Sequence, residues 1–244
     1  MRISRIFIEA PLKLNLQTFL DKKKSHYLLQ VLRLKLGSTI FLFNGNGYEY
    51  HTEITAIDKK MAQITILSVS EKEKLPPLNI HLGIGLSKGD RLDLAIQKSV
   101  ELGVSQISLL QTQFTAVKFN QERSNKKLTH WQGIIHSACE QAGRSYIPQL
   151  NPPQPLSDWL KANEESASTR LILNPLSSNS MKAFSVDKAL TLLVGPEGGL
   201  SEKEITQAEQ SQFQSARLGT YILRTETAPL AAIAAAQILW GDFI

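Results

Sequence analysis

At 244 residues and 27.2 kDa the chain has room for two modest domains, and 42% hydrophobic with 20% charged residues excludes a disordered polypeptide. No run approaches the roughly 20 apolar residues of a membrane span, and the opening MRISRIFIEAPLK lacks the continuous apolar stretch of a secretory leader, which predicts a cytoplasmic protein. A single cysteine, Cys139, excludes a disulfide framework and a cysteine-rich zinc centre, and the five histidines form no His-x-x-x-His pair, so no metal site is expected.

The net charge of +5 is unevenly spread: residues 1–74 hold 12 basic and 7 acidic side chains, whereas 75–244 hold 15 of each. Excess charge confined to one segment suits a module that meets a phosphate backbone, although it also serves solubility.

In chain order, Arg5–Ile8 reads as a short strand and roughly 24–34 as a helix burying Leu28, Leu29, Val31 and Leu32, with Lys22, Lys23, Lys24, Arg33 and Lys35 solvated. Strands follow at Thr39–Phe43, Tyr48–Ile57 and Met61–Val69, punctuated by the turns Asn44-Gly45-Asn46-Gly47 and Asp58-Lys59-Lys60, a spacing that predicts a small barrel. The charged then stiff stretch Glu71 to Pro77 marks a boundary, giving domains of 1–74 and 75–244. Beyond it strands and helices alternate: strand 78–86, helix 90–103, strand 106–110, helix 127–143, strands 170–173 and 190–194, helix 201–209, a short strand ending at Gly219, and an Ala-rich helix 228–240. This alternation predicts an α/β domain with a largely parallel sheet.

Ligands of such sheets lie beyond the C-terminal ends of the strands. Gly83-Ile84-Gly85-Leu86-Ser87-Lys88-Gly89 approximates a dinucleotide-binding turn, with its third glycine one residue late. More persuasive is Gly195-Pro196-Glu197-Gly198-Gly199 between a strand and a helix whose Ser201 and Glu204 fit a capping box. The loop 218–228 sets Arg224 and Glu226 beside apolar Ile222 and Leu223, which need a cover from the core or from a flat ligand. Charged groups on two helices (Lys88, Arg91, Lys98 and Glu101; Glu140 and Arg144) and the basic stretch 112–127, with Lys118, Arg123, Lys126 and Lys127, could border the same site. Cys139, on an apolar helix face, reads as a core thiol.

These stretches together resemble the SPOUT class of methyltransferases, and within it the family that methylates N3 of a uridine in small-subunit ribosomal RNA. The segments that carry the resemblance are Ser87-Lys88-Gly89-Asp90-Arg91, Gln97-Lys98 with Glu101 to Val104, Glu140 to Arg144, the 195–199 loop, Leu218-Gly219 with Ile222 to Ala228, and His26 with Val31 to Leu34. Ser38 and Thr220-Tyr221 depart from it.

The resemblance implies a PUA-like β-barrel for RNA, a trefoil-knotted α/β domain, bound S-adenosylmethionine and a homodimer. It places Leu173, Gly195, Gly199, Leu218, Ile222, Leu223 and Thr227 against the cofactor. Arg224 would stabilise charge on the uracil oxygens, with Glu197 or Glu226 assisting deprotonation. Arg5, Lys23, Arg33, Lys88, Arg91 and Arg144 would hold ribosomal RNA. Two other readings compete: a non-catalytic RNA-binding assembly factor, and a nucleotide-dependent oxidoreductase built on the 83–89 turn. Methylation of a different RNA base stays within the class.

Overall fold

A computed structural model describes residues 4–73, 76–115, 121–164 and 166–243, with 121–124 given by backbone alone. Lys118 and the Arg123 side chain therefore lie outside the described residues. The chain divides into two compact units: Met1–Leu75 with Cys139–Ile147, and Pro76–Ala138 with Pro148–Ile244.

The first unit is built on a five-stranded sheet of order β1-β3-β4-β5-β2, comprising β1 (Arg5–Phe7), β2 (Gln17–Phe19), β3 (Thr39–Phe43), β4 (Tyr48–Asp58) and β5 (Met61–Glu71). β1 pairs with β3 in parallel and the remaining pairs are antiparallel. Alternating residues send Ile40, Leu42, Ile54, Ile64 and Ile66 into one core. The expected single helix is instead α1 (Lys22–His26), capped by the Asp21 carboxylate, followed by a π-helical turn over Tyr27–Val31. The changed period alters which side chains face inward: Leu28 is fully buried, but Val31 is 58% exposed, contrary to the helical pattern.

Two arginines expected to meet RNA serve this unit internally. The Arg5 side chain pairs with Glu49, donates to the Arg144 carbonyl (3.0 Å) and Ser145 Oγ (3.1 Å), and lies over the Phe43 ring. Arg144 is nearly as enclosed, its Nε 3.7 Å from Glu73, whose carboxylate also accepts the backbone N–H groups of Ser145 and Tyr146. A charge count along the chain cannot see these partners, because they come together only in the fold. Lys23 and Arg33 are exposed.

The second unit is a six-stranded, wholly parallel sheet of order β11-β9-β10-β6-β7-β8. Its strands are β6 (Asn79–Gly85), β7 (Gln106–Gln111), β8 (Gln149–Pro155), β9 (Thr169–Leu173), β10 (Ala189–Val194) and β11 (Gln214–Ala216). The helices are α2 (Asp90–Glu101), α3 (Gln121–Ala142), α4 (Leu156–Ala162), α5 (Glu202–Gln210) and α6 (Thr227–Trp240). α2 packs on α6, which lies along β6 and β10, while α4 and α5 enclose a core with Leu110, Ile172, Leu193 and Phe213. β8 and α4 escape a reading by pattern. Three prolines mask the strand, which is tolerated because β8 is an edge.

Half-buried in this unit, His81 accepts at Nε2 from the Trp159 indole N–H at 3.4 Å and lies 2.9 Å from Ser108 Oγ, which itself accepts from Asn151. The indole can only donate, so Nε2 is bare and the imidazole neutral. Burial accordingly lowers its pKa to about 4. Cys139, in the first unit, is buried as expected of a core thiol, and burial pushes its pKa up to about 12. Among the described residues no helix is long and apolar enough to cross a membrane.

Candidate functional site

The C-terminal ends of β9, β10 and β11 open into a cleft of about 690 Å³. β10 runs into Gly195-Pro196-Glu197-Gly198-Gly199-Leu200, and α5 then starts from Ser201. The capping box is present: Ser201 Oγ receives the Glu204 N–H, and the Glu204 carboxylate receives the Ser201 N–H at 2.9 Å. Buried Glu204 also accepts the Gln113 N–H at 2.7 Å, which fastens the loop after β7 to the start of α5. The Ser201 hydroxyl donates to it as well, at 2.9 Å, and three donors on one buried carboxylate fix both segments.

The 195–200 loop is folded tightly on itself. A Cβ placed on Gly195 would fall 2.8 Å from the Gly199 carbonyl carbon and 3.1 Å from Leu200 Cγ, so only glycine fits. Thr225 Oγ1 donates to the Gly195 carbonyl at 3.0 Å, tying this loop to the one that leads into α6. Sequence reading gave Thr225 no role, although its place in the 224–227 stretch was the available signal.

Leu173, Gly195, Gly199, Leu218, Ile222 and Leu223 all line the cleft, as do Glu197, Arg224 and Glu226. Thr227 does not: it is the first residue of α6, its N–H bonded to the Arg224 carbonyl. The wall further includes Asn174, Pro175 and Leu176, which extending the strand-end rule beyond β9 would have found. β11 ends at Ala216, three residues before the expected Gly219, so Leu218 and Gly219 belong to the loop. The chain itself leaves Ile222 (83%), Tyr221 (85%) and Leu176 (91%) open to solvent beside the cleft.

The charged residues fall into distinct settings. Glu197 Oε1 accepts the Lys88 backbone N–H at 3.1 Å and pairs with Arg91 at 3.3 Å, so it braces the loop before α2. Lys98 is occupied by Glu101 at 2.8 Å, and Glu140 accepts the Phe7 N–H at 2.9 Å. Glu226 has one carboxylate oxygen buried with no hydrogen-bond partner, and no ion pair joins it to Arg224 among the described residues. A bare buried acceptor in a cleft wall calls for a donor from outside the chain. The two leading glycines of the 83–89 turn have another use: they lie inside β6, where a Cβ would strike the Trp159 ring at Gly83 or Pro196 at Gly85. That removes the basis for a dinucleotide turn.

Comparison with known proteins gives the same picture. Residues 74–237 match the model of an RNA methyltransferase domain, and 20–67 that of an RNA methyltransferase PUA domain. The ribosomal RNA small subunit methyltransferase E of Buchnera aphidicola is 37% identical over 99% of this chain and 98% of its own. Its Bacillus subtilis namesake is 30% identical over 89% and 90%. The structure of the Neisseria gonorrhoeae enzyme of that name, bound to S-adenosylmethionine, superposes with a TM-score of 0.91 at 37% identity, covering all of both chains. A Legionella pneumophila methyltransferase, also with this cofactor bound, gives 0.94 at 35% identity over the same full coverage. The chain belongs to the ribosomal RNA small subunit methyltransferase E family.

Proposed function

We propose that this protein transfers a methyl group from S-adenosylmethionine to N3 of a uridine in 16S ribosomal RNA. The observation that carries the reading is the cleft at the ends of β9, β10 and β11, lined both by a folded glycine loop and by Glu226 with its unpartnered oxygen. Both features fit the cofactor: the loop presents backbone to a close-packed ligand, and a bare carboxylate oxygen suits a cationic or N–H-bearing one. Gly195, Gly199, Leu218, Ile222 and Leu223 would hold it, with Leu173 and Leu223 against its apolar parts. When bound, S-adenosylmethionine supplies an electrophilic methyl group.

The protein must then make N3 of uracil nucleophilic. Its imide proton has to leave as the methyl arrives, and the charge that develops falls on the two flanking carbonyl oxygens. Arg224, exposed at the cleft and in no ion pair among the described residues, supplies a full positive charge for those oxygens. Of the two carboxylates Glu226 would accept the proton, because Glu197 is already engaged by Arg91 and the Lys88 amide.

Lys23, Arg33, Lys88 and Arg91 would contact RNA phosphates, which position the substrate without reading its sequence. The finer architecture proposed is a PUA-like barrel at 1–74 and a trefoil-knotted domain at 75–244 in a cytoplasmic homodimer. Apolar Ile238 and Leu239, exposed in the last turn of α6, and Phe243 beyond it support the pairing.

The test is methyl transfer from labelled S-adenosylmethionine to small subunits from cells lacking this protein, mapped by reverse transcription. One new stop at a uridine is expected, since N3 methylation blocks the pairing edge. Arg224→Ala should bind cofactor and subunits but lose about 100-fold or more in kcat. Subunit binding without cofactor binding or transfer would instead indicate an assembly factor.

A further inference from the structure

A second cleft, of about 600 Å³, adjoins the first and shares Arg91 and Glu197 with it. Its remaining walls are Lys88, Gly89, Asp90 and Phe114. Phe114 is 45% exposed.

Its backbone is firmly held. Thr112 N–H donates to Thr115 Oγ1 at 2.8 Å, Thr115 N–H returns to the Thr112 carbonyl at 3.1 Å, and the neighbouring Gln113 N–H is bound by Glu204. The Phe114 Cβ also presses on Gly198, where an added Cβ would come within 2.8 Å of it. An exposed aromatic ring on a braced turn costs little entropy to use as a platform.

The charges around it are balanced: Lys88 and Arg91 against Asp90 and Glu197, with Arg91 and Glu197 paired. A balanced rim suits a neutral, flat ring with hydrogen-bonding edges. The methyl acceptor must, moreover, lie next to the cofactor, and the two clefts share Arg91 and Glu197 as lining residues.

We propose that this second cleft receives the target uracil, unstacked from the RNA and laid on the Phe114 ring, with its reacting edge toward the first cleft, which Arg224 and Glu226 line. The inference rests on the methyltransferase reading above and adds the subsite for the base. Aromatic stacking of an unpaired base is worth ~1–3 kcal/mol, so losing the ring should weaken substrate engagement by about tenfold.

Phe114→Ala, Phe114→Leu and Phe114→Tyr would be compared with wild type for KM toward unmethylated small subunits, affinity for S-adenosylmethionine, and affinity for a short uridine-rich single-stranded RNA. The alanine and leucine variants should raise KM and weaken the oligonucleotide about tenfold with unchanged cofactor affinity, and tyrosine should restore both. The proposal is overturned if leucine matches wild type, which would leave only volume, or if KM does not move. It is overturned equally if cofactor affinity falls in step, which would make Phe114 a prop for the 195–200 loop. Should wild type itself transfer no methyl group, the functional reading fails, and the oligonucleotide affinities alone decide whether Phe114 stacks a base.

Discussion

Replacing Gly195 by alanine is the sharpest probe of the cofactor loop. The added Cβ would sit 2.8 Å from the Gly199 carbonyl carbon, 3.1 Å from Gly199 Cα and 3.1 Å from Leu200 Cγ. Carbon atoms rest about 3.5–4.0 Å apart, so the loop must open by roughly half an ångström or more, and two of the obstructing atoms are backbone. Overpacking of this kind costs about 1–3 kcal/mol. Because the strained atoms line the cleft and Thr225 ties the same residue to the neighbouring loop, the distortion is delivered to the cofactor site. At 1.4 kcal/mol per tenfold, affinity for S-adenosylmethionine should fall by about tenfold or more, as read by calorimetric titration. Gly133→Ala is the control: nothing lies within 4 Å of its new Cβ, and it sits in α3, where alanine is the better helix former. A folded Gly195→Ala variant that binds cofactor within twofold of wild type would refute the reasoning.

Acid should weaken the fold through His81. Its pKa is about 4 folded and 6.5 unfolded. Below pH 6.5 the unfolded chain therefore binds a proton that the folded chain does not, and stability drops until the folded pKa is reached. Wild type should lose about 3 kcal/mol more than His81→Gln between pH 7 and 4 in chemical denaturation; parallel profiles would contradict this. Arg5→Ala leaves Glu49 buried without its partner and should cost about 3 kcal/mol or more of stability. Once folded it should bind RNA as wild type does, whereas Lys23→Ala should weaken binding and reduce the salt slope by about one. Glu204→Ala strips bonds from Ser201 and Gln113 and should lower stability by about 2 kcal/mol in thermal melts, more than loss of an ordinary cap.

The strand–helix alternation, the capping box at Ser201 and the glycine loop were all legible, because each depends on residues close in sequence. Period and punctuation are local, and so is the rule that sites follow strand ends. What escaped depends on partners that only the fold supplies. Arg5 looks like any basic residue until Glu49 and Phe43 close around it. Glu197 and Glu226 look equivalent on paper, yet one is braced by Arg91 and Lys88 and the other keeps a bare oxygen. β8 was invisible for a further reason: an edge strand bonds on one side only, so Pro152, Pro153 and Pro155 cost it few ladder bonds. Val31 failed because a π-helical turn replaced the helical period on which its placement relied.

The strand order of the parallel sheet also bears on how the chain is made. β6, β7 and β8 are neighbours in sequence order and can pair as they leave the ribosome. The other edge of β6 waits for β10, since Asn79 pairs with Ala189, 110 positions later. The apolar face of α2 waits longer still, for α6. At translation rates of about 5–20 residues per second, the β6 edge stays open for roughly 5–20 seconds. During that interval a row of unpaired backbone groups is free to bind a neighbouring nascent chain. Damage to β10 or α6 will therefore show first as lost yield and aggregation during synthesis, before any change in the turnover of the molecules that mature.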